Sequence, residues 1–203
     1  KPRNGFGAND IRLITRTDQL RRAAAREGFV IQKYLNDGAS LERHLRDAET
    51  LGTPLFHSFE GLKHSIQILI APDGSLAGNF CSCNVNRFGT STRLERYPGE
   101  DAARLGEACA TAFSRAGWRG PMNIQCQQVS AGRLVIYEFN SRVSGATAAR
   151  CRMGHDERGL LIEAFAGRSL PPDRGPTSDL VVRRAVDVAM ATQASQTLTR
   201  CGV

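Results

Sequence analysis

Apolar residues alternating with polar ones mark strands, and apolar residues spaced three and four apart mark helices. The stretch "HSIQILIAPDGSLAGNFCSCNV" holds two alternating runs around a Pro-Asp-Gly turn and predicts a hairpin. "EDAARLGEACATAFSRAGW" predicts a helix with Ala103, Leu105, Ala108, Cys109, Ala112, Phe113 and Ala116 on one face. "GPMNIQCQQVSAGRLVIYEFN" gives two further strands joined by a Ser-Ala-Gly turn, and "GLLIEAFAGRSLPP" a helix stopped by Gly167 and two prolines. "DLVVRRAVDVAM" predicts a last strand that closes the sheet, after the linker-like "PPDRGPTSD". Nearer the start, "TDQLRRAAAREG" predicts a helix capped by Thr17 and ended by Gly28, followed by the short apolar strand "FVIQKYL". "GASLERHLRDAETLG" predicts an inserted helix, and "KPRNGFGAND" a glycine-bearing turn with a short strand at or just before Lys1. There is no internal repeat. The pattern is that of an α+β domain with a largely antiparallel sheet.

One segment breaks the rule that cores are apolar. In "YEFNSRVSGAT", Glu138, Asn140 and Arg142 lie two apart, so a strand projects them from one side, opposite Val135, Tyr137 and Phe139. Unpartnered in a dry core they would cost several kcal/mol. A divalent cation changes that balance, because a hard ion such as Mg²⁺ takes oxygen ligands from one or two side chains and from phosphates. Glu138 and Asn140 supply such oxygens, and Arg142 would face phosphate charge left uncovered by the metal. If the turn lies at Val129 to Arg133, Gln125 on the preceding strand pairs close to Glu138 as a further oxygen ligand. The alternative is an edge strand with one solvated polar face.

Composition narrows the choices. The 203 residues suffice for one large domain or two small lobes, with 41% hydrophobic and 23% charged residues. No apolar run reaches the ~20 residues of a membrane span, and no signal-peptide pattern stands at the start. The chain opens on Lys1 rather than Met and is expected to be part of a longer protein. A net charge of +7 raises the question of nucleic acid. The basic residues are scattered, however (Arg21, Arg22, Arg26, Arg43, Arg46, Arg183, Arg184), and aromatic residues make up only 6%. That composition argues against a base-stacking surface and for no nucleic-acid partner. The six cysteines include Cys81 and Cys83 in a Cys-x-Cys spacing but no neighbouring His or Cys pair that would complete a zinc set. They are expected to be small buried thiols of a reducing, cytoplasmic protein.

The stretch "NIQC…GRLVIYEFNSRVSGAT" resembles the metal-binding core of ATP-grasp enzymes, most closely their carbamoyl-phosphate-synthase-like branch. The likeness spans most of Lys1 to Pro171 and is most specific from Gln125 to Thr147. "KPRNGFGAND" resembles that family's phosphate-contacting basic residue and flexible glycine loop, and "FVIQKYL" the hinge whose backbone meets adenine.

The resemblance implies an α+β ATP-grasp fold lacking its N-terminal part, with residues 1–61 in the small lobe and 62–203 in the large lobe. It implies that Gln125, Glu138 and Asn140 hold Mg²⁺, as one or two ions for which Mn²⁺ can substitute. Lys1 would touch the α- or β-phosphate of ATP, Gly5 and Gly7 would let the loop cover the triphosphate, and Arg142 would contact the γ-phosphate or an acyl-phosphate. Lys33 and Leu35 would offer backbone groups to adenine, with Tyr34 packing beneath. The implied reaction is ligation of a small-molecule carboxylate to an amine or similar nucleophile through an acyl-phosphate. A homodimer or a partner domain would supply the segment that family members carry ahead of Lys1. Two positions depart from the family: Lys33 stands where a hinge Glu is common, and Lys63 near a common ribose-binding Glu, for which Glu60 is the nearby substitute. The other expectations are a carbamoyl-phosphate synthase or carboxylase large chain acting on bicarbonate, and a nucleotide-binding module without turnover.

Overall fold

The computed structural model describes residues 1–4, 10–35, 39–52, 62–87, 90–130, 133–171 and 177–184. Among them runs a six-stranded antiparallel sheet in the order β5-β4-β1-β2-β3-β6. Its strands are β1 (Leu62–Ile70), β2 (Leu76–Arg87), β3 (Thr90–Arg96), β4 (Gly120–Ser130), β5 (Arg133–Asn140) and β6 (Leu180–Val182). The helices are α1 (Thr17–Ala24), α2 (Ala39–Leu51), α3 (Glu100–Arg115), α4 (Thr147–Arg152) and α5 (Glu157–Ala166). The α+β class with a largely antiparallel sheet is thus the one the pattern predicts. No described helix is long and apolar enough to cross a membrane.

The central strand β1 pairs with β2 on one side and β4 on the other, so Ile66 lies between Cys81 and Ile124. Its alternation sends Ile66, Ile68 and Ile70 to one face, where they meet Met122, Ile124 and Cys126 of β4 under α3. Ile66, Ile68, Ile70 and Ile124 are fully buried. Removing each such side chain from water contributes about 1.5–3 kcal/mol. The helix meets this core through Ala102, Gly106 and Ala110, flanked by Leu105, Cys109 and Phe113. The stripe is therefore rotated from the one predicted, and Ala103, Ala108, Ala112 and Ala116 are exposed. Gly106 suits this close approach: a Cβ there would stand 2.4 Å from Oδ1 of Asn79, whose side chain would have to move.

The hairpin turn is local chemistry. The Asp73 carboxylate accepts from the Ser75 N–H at 2.9 Å and its hydroxyl at 2.7 Å. Gly74 takes φ +90°, which suits glycine alone. At the other end of the chain, Asp156 caps α5 by accepting from the Arg158 N–H, and Gly167 ends it in the left-handed conformation.

Elsewhere the elements depart from the pattern. "FVIQKYL" forms no strand: Phe29 makes a single bridge to Pro2, and residues 30–35 are irregular. Three backbone bonds flank the bridge: Val30 N–H to Lys1 O and Arg3 N–H to Gly28 O, both 2.8 Å, and the terminal ammonium of Lys1 to Val30 O at 3.0 Å. The N-cap of α1 is Arg16, not Thr17, because the Gln19 side chain reaches back to the N–H groups of Thr15 and Arg16. β3 and α4 were not predicted: "TSTRLER" carries one buried apolar residue, Leu94, and α4 is six residues long. The last strand spans Leu180–Val182, and residues 185–190 of its predicted length lie outside the described residues. So do Ala131 and Gly132 of the predicted turn. The thiols of Cys81, Cys126 and Cys151 are buried and those of Cys83 and Cys109 half-buried, while Cys201 lies outside the described residues.

Candidate active site

The second face of the sheet is polar where the first is greasy. β1 contributes Ser65 and Gln67 and β4 contributes Asn123, all buried. α4 helps to cover this face through Ala149 and, just before and after it, Ala146 and Met153, packed on Phe80 and Leu94.

At the sheet's edge, β5 adds the predicted oxygen donors. Gln125 is the register partner of Glu138, and Asn123 that of Asn140. Cross-strand partners share a face, so Gln125, Glu138 and Asn140 stand together beside Ser65 and Asn123. Alternation alone does not produce this. Leu134 and Ile136 pack on the apolar core beneath α3, and strict alternation would send Glu138 after them. The register instead slips between Gln125 and Cys126, opposite Glu138 and Ile136, leaving Tyr137 as the extra residue of a β-bulge. The bulge turns Glu138 to the polar face and Phe139 to the α3 side, where it meets Phe113 edge-on at 5.2 Å. It also corrects the place predicted for Tyr137, which lies with Glu138 rather than opposite it. Its hydroxyl donates to Oε1 of Gln125 at 3.0 Å.

The backbone oxygen of the same bulge residue gathers the beginning of the chain. The Lys1 ammonium donates to Tyr137 O at 3.1 Å, and the Gln32 side chain donates to it at 3.3 Å. Lys1 is thereby brought next to Glu138. Beyond Gln32, Lys33 and Tyr34 are exposed and Leu35 is half-buried. Gly5, Gly7 and Glu60 lie outside the described residues. Arg142 differs from its predicted place: β5 ends at Asn140, whose carbonyl accepts from the Arg142 N–H at 2.8 Å. That tight turn takes Arg142 off the strand, and its exposed guanidinium donates to Val143 O at 3.0 Å.

The side chains fit a hard cation by their chemistry. Glu138 is half-buried, no described basic side chain pairs with it, and its Oε1 accepts only the Asn140 amide at 3.1 Å. One carboxylate and two carboxamide oxygens on neighbouring positions of one face match what Mg²⁺ takes from protein, its other positions going to phosphate and water. Among the described residues no set of three His, Cys, Asp or Glu forms a metal site, so oxygen donors of this mixed kind are the candidates.

Behind the donors lies a network that sequence reasoning missed. Arg150 is fully buried. Its guanidinium donates to Ser65 Oγ (2.6 Å), Glu157 Oε1 (2.7 Å), Ser144 Oγ (2.9 Å) and Gln67 Oε1 (3.2 Å). Glu157 also accepts from the Thr147 hydroxyl at 2.7 Å, and Asn123 donates to Ser65 Oγ at 2.7 Å. The available signal was an Arg seven residues before a Glu in "RCRMGHDE", a spacing that places both on one side only once α4 and α5 are known.

Fold and site together define an α+β domain whose antiparallel sheet presents a cluster of oxygen donors at one edge. No family model matches the chain, and no curated protein matches it. It is similar to solved structures of carboxylases and a synthetase. One is biotin carboxylase of Campylobacter jejuni in complex with β,γ-ATP, at 14% identity and TM-score 0.43, over 64% of this chain and 32% of that one. A second is the biotin carboxylase domain of Hydrogenobacter thermophilus 2-oxoglutarate carboxylase with MgADP, ADP and bicarbonate, at 16% identity and TM-score 0.44, over 70% and 33%. A third is N5-carboxyaminoimidazole synthetase of Staphylococcus aureus with ADP, at 15% identity and TM-score 0.45, over 59% and 32%. The matched region spans about a third of each of those chains.

Proposed function

We propose that this chain is part of an ATP-grasp ligase that uses Mg-ATP to activate a carboxylate for attack by an amine or similar nucleophile. The observation that carries the proposal is the bulged edge of β5. It sets Gln125, Glu138 and Asn140 on one face and ties Lys1 to the carbonyl between them. In this proposal residues 1–61 belong to a small lobe and 62–203 to a large lobe, with the nucleotide between them.

Gln125, Glu138 and Asn140 would hold Mg²⁺, which when bound supplies charge neutralisation for the phosphates. Lys1, donating only to a carbonyl, has further N–H groups for the α- or β-phosphate. Arg142 is exposed and, among the described residues, bound only within its own loop, so swinging its fork onto the transferred phosphoryl disturbs no described ion pair. A carboxylate oxygen of the acceptor attacks the γ-phosphorus and ADP leaves. The nucleophile then attacks the acyl carbon, and phosphate departs with the bond electrons. Positioning and charge stabilisation account for most of the rate in such phosphoryl transfers.

Calorimetric titration with ATP, with and without Mg²⁺, tests the first half of the proposal. ATP binding that depends on Mg²⁺ is expected, and its absence overturns the proposal. Phosphate release across a panel of carboxylates paired with amines tests the second half, where acceptor-dependent release is the expected result.

A further inference from the structure

We propose that Arg150 and Glu157 form a buried clamp that positions the loop from Ser141 to Ala146, and with it Asn140 and Arg142, against the central strand. This rests on the Mg-ATP site proposed above and adds two positioning residues to it. Neither touches the proposed ligands directly.

Three observations carry the inference. The Arg150 guanidinium bridges three parts of the chain at once: Ser65 and Gln67 on β1, Ser144 in the loop, and Glu157 at the start of α5. The acceptors on β1 belong to the same rows as the candidate ligands, because Ser65 pairs with Gln125 and Gln67 with Asn123, the partner of Asn140. Finally, Ser144 organises its own loop: its hydroxyl accepts from the Ala146 N–H and its carbonyl from the Thr147 N–H, each at 3.1 Å. Fixing Ser144 to β1 therefore fixes the segment running from Asn140 into α4.

A buried ion pair is poor evidence for stability, because well-packed neutral groups of the same volume often serve the fold as well. This pair has a geometric role instead. Nη1 faces Gln67, Ser144 and Glu157, sharing its two hydrogens among them, and Nη2 donates to Ser65, so one planar guanidinium reaches three elements at once.

The double substitution Arg150→Met with Glu157→Gln separates the two roles. It removes both buried charges, keeps side-chain volume, and leaves Asn123 to satisfy Ser65 and Gln67. The folded variant is expected to exchange its Arg142 and Thr147 amide hydrogens about tenfold faster than the parent chain. It should also bind Mg-ATP about tenfold more weakly, as outer-shell partners of metal ligands typically do when removed. Ser144→Ala is the companion that cannot strand a buried charge. Exchange is read at the same two amides, whose acceptors are backbone carbonyls untouched by the substitution. Exchange at Arg142 and Thr147 equal to the parent's in Ser144→Ala, or in a folded double variant, overturns the clamp. If the parent chain itself fails to bind Mg-ATP, the ligase proposal falls, and the exchange measurement still decides the clamp.

Discussion

Replacing Glu138 by Gln asks the site a clean question, because the change removes a charge and keeps the shape. In the structure, Glu138 gives one oxygen to the Asn140 amide at 3.1 Å, and a Gln carbonyl can accept that bond as well. What is lost to the fold is the charge assistance of one half-buried hydrogen bond, about 1 kcal/mol at most. For a chain of this length that moves the melting point by about 2–4 °C. The cation loses far more. Two unit charges about 4 Å apart at an effective dielectric near 20 interact by about 4 kcal/mol. That is a ceiling for a carboxylate half open to solvent and salt, so we expect a loss of about 1.4–2.7 kcal/mol, or ten- to a hundredfold in Mg²⁺ affinity. The assay is a Mg²⁺ titration of ATP binding at fixed nucleotide, run beside thermal melts of both proteins. A Mg²⁺ midpoint unchanged in a variant that melts with the parent would refute the assignment of Glu138.

Three other outcomes follow from named contacts. Arg142→Ala is expected to lower turnover by about a hundredfold or more while Mg-ATP affinity changes only a few-fold, since its fork acts on charge that develops in transfer; Arg21→Ala and Arg46→Ala, on exposed positions, should change neither, and equal phosphate release by Arg142→Ala and the parent chain contradicts the role. Burial holds the pKa of His64 and of His155 below the usual imidazole value. Below about pH 6.5 the unfolded chain then takes up protons that the folded chain refuses, so stability should fall from pH 7.5 to 5.5. His64→Gln should flatten that slope, and parallel melting curves for variant and parent would remove His64 as a cause. Gly106→Val drives a side chain into Asn79, displacing its 2.9 Å bond to Ala103 O. It should cost about 1–3 kcal/mol in denaturant melts, whereas an unshifted midpoint would mean α3 stands off β2 more easily than the packing implies.

Much of this fold was legible because burial in it follows period. The 64–85 hairpin, the 100–118 helix and the 120–140 strand pair each carry a long apolar pattern, and each forms. Several of the misses share one cause: the deciding contact lies far away in sequence. Nothing in "TSTRLER" shows that Leu94 meets Phe80, Ala149 and Met153, so a mostly polar segment is a strand only in context. "FVIQKYL" has the composition of a strand, but among the described residues its backbone pairs only around one bridge, Phe29 to Pro2, with bonds from Val30 to Lys1. At the site, the turn brought Gln125 close to Glu138 in the sequence pattern, while their direct pairing comes from the bulge, which the turn does not show. The clamp of Arg150 was not readable, because its partners lie 83 and 85 residues away on β1.

The bulge at Tyr137 joins these levels. "LVIYEFN" contains a conflict that no regular strand resolves: Ile136 belongs in the core and Glu138 does not, yet they are two apart. An even ladder would bury Glu138 among Ile124, Cys126 and Phe113, at a cost of several kcal/mol for an unpaired carboxylate. One extra residue removes the conflict by reversing every side chain after it. It also leaves the carbonyl of residue 137 free to hold Lys1 and Gln32, and turns the Tyr137 hydroxyl toward Gln125. The same slip that protects the core thus assembles the oxygen donors and fastens the start of the chain beside them. A bulge inserted only to relieve packing would not require a tyrosine whose hydroxyl meets a candidate ligand. This one does both, which is why the edge strand, usually the least constrained in a sheet, is here the most specified.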